Sequence, residues 1–285
     1  MICEILPVKC AKGEIFPAAI NGRQAGDNFV GHIIIPQAQI SAPKLGLRAG
    51  NFLCHKNINL FVVDGFAFIP QNFLNKPVSQ GDNSPGSKNY LCPLLKALQD
   101  IEPADSYETL SVKKEGWSLA VVILSDKGYL GAREDTSGPL IMEIMETSLN
   151  ISYKKYYIIP DDIFILKGLL SHLAWLDEMD LIVTSGGTGL GIRDITPQVT
   201  EQILDYQLPG MEQAMMAYSL KKTYNAVLSR AKAGVAGNSL VINLPGSPKA
   251  VKENLEAILP ALDHGLLKLD GDTRDCGALN GQENK

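Results

Sequence analysis

Three glycines in the run Thr184-Ser185-Gly186-Gly187-Thr188-Gly189 could bring successive backbone N–H groups against one anion. Glycine lacks the Cβ that holds a ligand off the main chain, and it tolerates positive φ. Such a loop suits a phosphate. Two well-known phosphate loops are excluded: GxxxxGK[ST] is absent, and the glycine spacing does not fit GxGxxG. The run therefore reads as a phosphate loop of another kind or as a tight turn. Asp161 and Asp194 each fall just past an expected strand, where a carboxylate could face the same cleft. There it can hold Mg²⁺ against nucleotide phosphates or orient a nucleophilic phosphate oxygen. Either acid can equally serve as a helix cap or first-turn residue. Ser125-Asp126 can contact a ligand or turn the chain, and Pro245-Gly246-Ser247-Pro248 can wall a pocket or stop a strand. Arg193 can clamp a phosphate or form a surface pair. His32, His55, His172 and His264 have no partners at metal or triad spacing.

These residues need a sheet edge to bring them together. From Trp117 onward the pattern alternates strand and helix, the signature of a mainly parallel sheet with helices on both faces. Strands are expected at Ser118–Leu124, Tyr156–Ile159, Asp180–Thr184 and Ser239–Asn243. Helices are expected after Thr136 or Ser137 as cap, after Asp161-Asp162, from Thr196-Pro197 with Thr196 as cap, over Met211–Val227 and over Lys249–Leu262. The loops at 125–126, 160–161, 185–194 and 244–248 then follow the carboxyl ends of four strands, where open α/β sheets bind ligands.

Residues 1–105 are rich in Gly, Pro and Asn, with β-branched or aromatic runs at Cys3–Val8, His32–Ile35 and Leu60–Ile69, and read as a small β-rich domain. A linker is expected over 103–116, the α/β domain over 117–268 and a polar tail over 269–285. The net charge of −5 and the lack of any Lys/Arg-rich run argue against nucleic acid. No apolar run reaches membrane-spanning length. Five scattered cysteines without CxxC spacing fit reduced thiols in the cytoplasm.

The runs Leu124-Ser125-Asp126-Lys127-Gly128, Glu134-Asp135-Thr136-Ser137-Gly138-Pro139, Ile159-Pro160-Asp161, Thr184 to Gly189, Arg193-Asp194-Ile195-Thr196-Pro197, Leu208-Pro209-Gly210 and Asn243 to Pro248 resemble the MogA/MoaB family of molybdenum-cofactor biosynthesis, in its order and spacing. The resemblance implies a three-layer α/β/α molybdopterin-binding fold, usually a homotrimer. It further implies transfer of AMP from Mg-ATP to the terminal phosphate of molybdopterin, giving adenylyl-molybdopterin and pyrophosphate. Asp161 and Asp194 match the family's catalytic acids, with a role in placing Mg²⁺ and phosphate. Thr184, Ser185, Gly186, Gly187, Thr188 and Gly189 match its phosphate loop. Ser125, Asp126, Thr196, Pro245, Gly246, Ser247 and Pro248 match the surrounding pocket.

Three positions depart from that pattern. Gln198 stands where an acid is common, Ile192 where Pro is common and Met216 where Arg is common. They motivate an alternative in which the protein binds or carries molybdopterin or the finished cofactor without catalysis. The resemblance stops short of residues 1–110, which are left as a β-rich domain suited to docking a partner, such as another cofactor-biosynthesis protein.

Overall fold

The computed structural model describes residues 2–5, 10–17, 19–20, 34–35, 47–70, 89–101 and 108–273. The turn-rich stretch 80–87 and the tail beyond residue 273 lie outside them. The chain divides into two compact units, Met1–Trp117 and Ser118–Lys285.

The first unit is all β among its described residues. Strands β1 (Ile2–Ile5), β2 (Ile15–Pro17), β5 (Phe52–His55), β6 (Ile58–Pro70), β7 (Asn89–Ala97) and β8 (Glu108–Lys113) form one sheet in the order β1-β8-β5-β6-β7-β2. Its pairs are antiparallel. β3 (Ala19–Ile20) and β4 (Ile34–Ile35) make a separate parallel pair. Lys56 and Asn57, both at positive φ, join β5 to β6 where His55 pairs with Ile58. Two positive-φ residues give the turn whose twist matches a hairpin. Leu53, Phe61, Val63, Leu95 and Leu110 are buried. The stretch expected to be a linker contains β8, which hydrogen-bonds to both β1 and β5. Main-chain pairing on two sides organises a segment whose polar composition gives little strand signal.

The second unit is the three-layer α/β fold. Its strands are β9 (Trp117–Leu124), β10 (Ile151–Ile159), β11 (Leu181–Ser185), β12 (Tyr206–Gln207), β13 (Ala233–Ala236) and β14 (Ser239–Leu244), in the order β10-β9-β11-β14-β13-β12. β9, β11 and β14 run parallel, and every residue in them is buried. Coverage on both faces explains why these strands read as unbroken apolar runs rather than as alternating ones. The helices are α1 (Asp126–Tyr129), α2 (Ser137–Ser148), α3 (Ile163–Trp175), α4 (Thr196–Ile203), α5 (Pro209–Leu220) and α6 (Pro248–Leu269). α6 packs with α2 and α5, α3 packs with α4, and β14 touches both α4 and α6.

Several boundaries differ from expectation. The helix expected through Val227 ends at Leu220, and a 3-10 turn, Tyr224–Leu228, follows with the Thr223 hydroxyl as its cap. β12 and β13 are antiparallel additions at the sheet edge. Their small or exposed residues carry no periodic signal. Thr136 makes no side-chain cap bond; the Asp135 carboxylate accepts from Ser137 N at 3.1 Å and Gly138 N at 2.8 Å instead.

Asp177, fully buried, sits 2.9 Å from Lys155 Nζ and 3.2 Å from His172 Nε2. Burial alone would push this carboxyl up, but the hydrogen bond from His172 and the Lys155 charge outweigh it and hold the group below its ordinary range. A carboxyl that is more acidic folded than unfolded stabilises the fold above its unfolded value. That contribution is lost as pH falls through the folded one. In thermal melts between pH 7 and pH 3, Asp177→Asn is therefore expected to flatten the acid limb of the stability curve. An acid limb as steep as the parent's would show that other carboxylates set it.

Candidate functional site

Register places the site. Ser185 at the end of β11 pairs with Ile123 of β9 and Leu244 of β14, so three strands finish side by side. Their loops open into a cleft of about 500 Å³. Ser125, Asp126, Asp161, Ser185, Gly186, Gly187, Asp194, Gly246 and Ser247 line it.

The glycine loop is held in a shape that needs glycine. Gly186 has φ +104°, and a Cβ there would meet the Leu124 carbonyl oxygen at 2.5 Å. Gly187 has φ +62°, and its Cβ would meet Thr196 Oγ1 at 2.6 Å. Thr196 is not the cap of α4, since no side chain caps that helix. Its hydroxyl donates instead to the Gly186 carbonyl at 2.8 Å, tying the loop to the helix start. Ser185 Oγ donates to the Pro245 carbonyl, and Ser137 Oγ to the Gly246 carbonyl. Neighbouring loops are thus bonded to one another across the edge.

The acids divide by role. Asp162, not Asp161, caps α3, its Oδ1 accepting from Phe164 N and Ile165 N at 2.9 Å each. Asp161 is left to face the cleft. Its backbone N–H donates to Asp126 Oδ1 at 3.1 Å, and Asp126 Oδ2 pairs with Arg193 Nη2 at 2.5 Å. Burial first, then the Asp126 charge, raises the Asp161 carboxyl above its ordinary value, against the opposing Asp126 hydrogen bond and Arg193. Asp194 Oδ2 accepts from Gly191 N at 2.7 Å and closes the far end of the loop. On the opposite wall, Asp135 Oδ2 accepts from the Tyr156 hydroxyl at 2.6 Å. Burial and that bond push the phenol well above its usual range.

The remaining sequence candidates stand outside the cleft wall. Thr184 is buried, its hydroxyl accepting from Asn243 Nδ2 at 2.9 Å. Pro248 opens α6, behind the Ser247 cap. Thr188, Gly189 and Pro245 line a second cavity of about 920 Å³, walled also by Gln198, Met216 and Arg230. That cavity is larger and mostly apolar, and the cleft acids Asp126, Asp161 and Asp194 do not line it. The smaller cleft holds the convergent acids and the glycine turn.

Against known proteins, the profile described as "Probable molybdopterin binding domain" matches residues 120–264. A Helicobacter pylori protein named molybdopterin adenylyltransferase is 40% identical over 147 residues, covering 51% of this chain and 84% of that protein. Its Escherichia coli namesake is 34% identical over 146 residues, covering 50% and 74%. The crystal structure of the molybdopterin biosynthesis enzyme MoaB from Thermus thermophilus superposes with a TM-score of 0.51 at 41% identity, over 55% of this chain and 98% of that one. The chain belongs to the MogA/MoaB family.

Every cleft residue named above lies inside the segment that matches this MogA/MoaB profile, and residues 1–119 lie before it. Two residues that hold this MogA/MoaB-type site together were given no role in the sequence reading, although Asn243 opens one of the family-like runs. Asn243 is buried in β14, donating to the Thr184 and Thr200 hydroxyls at 2.9 Å each and accepting from Lys232 N. It joins β11, α4 and β14 directly beneath the glycine loop. Arg230 donates from Nε to the Gly189 carbonyl at 2.8 Å and from Nη2 to the Asp194 carbonyl at 2.6 Å. Apart from Lys232, the partners of these two side chains lie 36 to 59 residues away in the chain, so spacing gives no sign of the bonds.

Proposed function

We propose that the second unit transfers AMP from Mg-ATP to the terminal phosphate of molybdopterin. One observation carries this reading: Asp162 takes over the capping of α3, leaving Asp161 as a part-buried carboxylate on the same edge as a positive-φ glycine loop. The names of the relatives support it. In this reaction a phosphate oxygen of the pterin attacks the α-phosphorus of ATP. The new P–O bond forms as the bond to pyrophosphate breaks, and pyrophosphate leaves. Both reactants are anions, so the protein's task is to hold them in line and to supply N–H donors and counter-charge. The glycine loop takes the pterin phosphate, Ser125 and Ser247 border it, and Asp161 and Asp194 orient the nucleotide end.

Among the described residues no group of three or more His, Cys, Asp or Glu could hold a metal ion alone. Mg²⁺ does not need one, since one or two carboxylates and substrate phosphates suffice. Asp161, whose carboxyl is raised by burial first and by the Asp126 charge next, and Asp194 fit that demand and would hold it. When bound, Mg²⁺ supplies charge neutralisation on the phosphates. We place the reaction in the cytoplasm, in keeping with the free thiols of Cys10, Cys54 and Cys92, and in a homotrimer, in keeping with the family resemblance.

The binding-only alternative rests on Gln198 and Met216, which line the second cavity rather than the acidic cleft, so turnover is the preferred reading. Incubating the full chain with molybdopterin, ATP and Mg²⁺ should release pyrophosphate well above an Asp194→Asn control. Tight pterin binding with no such release would reverse the preference.

A further inference from the structure

We infer that the second cavity takes the ring of the pterin, with the Glu253 carboxylate recognising its pyrimidinone edge. The inference rests on the reading that a pterin phosphate sits at the glycine loop. That loop borders both openings: Gly186 and Gly187 line the acidic cleft, while Thr188 and Gly189 line the cavity. The turn after β14 is shared in the same way, with Gly246 on the cleft and Pro245 on the cavity. A ligand whose phosphate lies at the loop therefore has the cavity beside it for its ring. At about 920 Å³ the cavity is within the size range of small-molecule pockets, roughly 300–1,000 Å³. Pro197, Met215, Met216, Leu220 and Leu228 give it apolar walls. Thioether side chains of this kind pack well against a flat aromatic ring.

Glu253, in the second turn of α6, is the exception in these walls. Its side chain is only 14% exposed, and among the described residues it accepts no hydrogen bond. Lys249 Nζ stands 4.0 Å away on an 82% exposed side chain, and a pair of that kind adds little. The other wall carboxylates are engaged, Glu212 accepting from Ala233 N and Glu201 from Gln207 Nε2. Arg230 is bonded to the Gly189 and Asp194 carbonyls, and Lys232 to Gln207 Oε1. A largely buried carboxylate without a hydrogen-bond donor calls for one. An ionised carboxylate only accepts, through two oxygens side by side. The pyrimidinone edge of a pterin offers the matching pair, a ring N–H next to an exocyclic amine. Adenine presents an acceptor next to its amine, so one carboxylate oxygen would face a ring lone pair. The cavity thereby selects the pterin over the nucleotide base and leaves the nucleotide to the acidic cleft.

The test titrates the full-length chain, without ATP, with 6-hydroxymethylpterin and with 6-hydroxymethyllumazine, which carries oxygen in place of the 2-amino group. The parent is expected to bind the pterin about tenfold or more tightly than the lumazine, the scale of one charge-assisted bond. In Glu253→Gln, which keeps one acceptor, pterin affinity should fall about tenfold and the preference should shrink to within about threefold. Molybdopterin affinity should fall by a similar factor, with Mg-ATP affinity and Tm near the parent's. Met216→Trp fills the cavity from another wall and should weaken both pteridines while Mg-ATP affinity stays. A parent that binds the two pteridines alike, or neither, would overturn the inference. So would a preference retained in Glu253→Gln, or parent-like pterin binding in Met216→Trp. Failure of Glu253→Gln to fold would overturn it by assigning the carboxylate to the fold. A changed assembly mass in light scattering, with pterin affinity kept, would overturn it by assigning the cavity to contact between copies. Absence of AMP transfer in the parent would sink the proposed reaction, yet the pteridine titration would still decide where the ring binds.

Discussion

Replacing Asp161 by Asn is expected to cut pyrophosphate release about 10²- to 10³-fold, the scale of removing one preorganised electrostatic contact to a transition state. The same change should leave the domain at least as stable as its parent. The substitution keeps the backbone N–H that Asp126 accepts and keeps the Asp162 cap of α3, so the fold loses no bond that it uses. The carboxyl is raised in the folded state, by burial first and by Asp126 next. Such a group holds its proton more tightly folded than unfolded. Its ionised form opposes folding above the folded value, and the penalty vanishes below the unfolded one. Asn cannot ionise, so any gain in Tm should be present at pH 7 and fade toward pH 4. Activity that depends on the carboxylate should fall with decreasing pH sooner than an ordinary aspartate predicts. A mutant that loses stability at pH 7 in step with activity would mark Asp161 as a fold residue. The opposition of activity and stability is what a functional acid kept in a costly environment should show.

Gly186→Ala should destabilise the domain by about 2–5 kcal/mol, combining backbone strain at positive φ with overpacking. The added methyl would press on the Leu124 main chain, which cannot move aside as a side-chain tip can. A lower urea midpoint at unchanged slope would register the loss as stability rather than altered compactness. Gly246→Ala is the internal control. Its Cβ would lie 3.4 Å from the Gly186 Cα, the limit of ordinary contact, at a φ outside the strained range, so the cost should stay below about 1 kcal/mol. Equal losses at both positions would mean that the edge is merely intolerant of bulk, and the special conformation of Gly186 would lose its support.

The sequence revealed the parts of this site that are local. Glycines after an apolar strand, an acid after Ile159-Pro160 and the Leu244-Pro245-Gly246 turn each signal a strand end, and parallel topology then gathers strand ends at one edge. It could not separate Asp161 from Asp162, because adjacent acids before a helix are equally good caps on paper. Backbone geometry decides, as only Asp162 brings its Oδ1 to the N–H groups of Phe164 and Ile165. Thr196 misled for a related reason: a threonine before proline has the composition of a cap, yet its hydroxyl reaches back ten residues to Gly186. Arg230 and Asn243 bond to distant partners and obey no spacing rule. In the first unit, β8 was hidden because its strand character comes from two neighbours rather than from its own residues.

The three strands under the cleft admit almost no variation, since β9, β11 and β14 are covered on both faces at every position. The four residues Leu190 to Arg193 are all exposed and contribute nothing to that floor. Within that rim Gly191 N holds the Asp194 carboxylate and Arg193 pairs with Asp126, which leaves Leu190 and Ile192 as the two positions that neither the floor nor the cleft acids constrain. A change of rim chemistry at those two residues would leave the packing of the strands untouched.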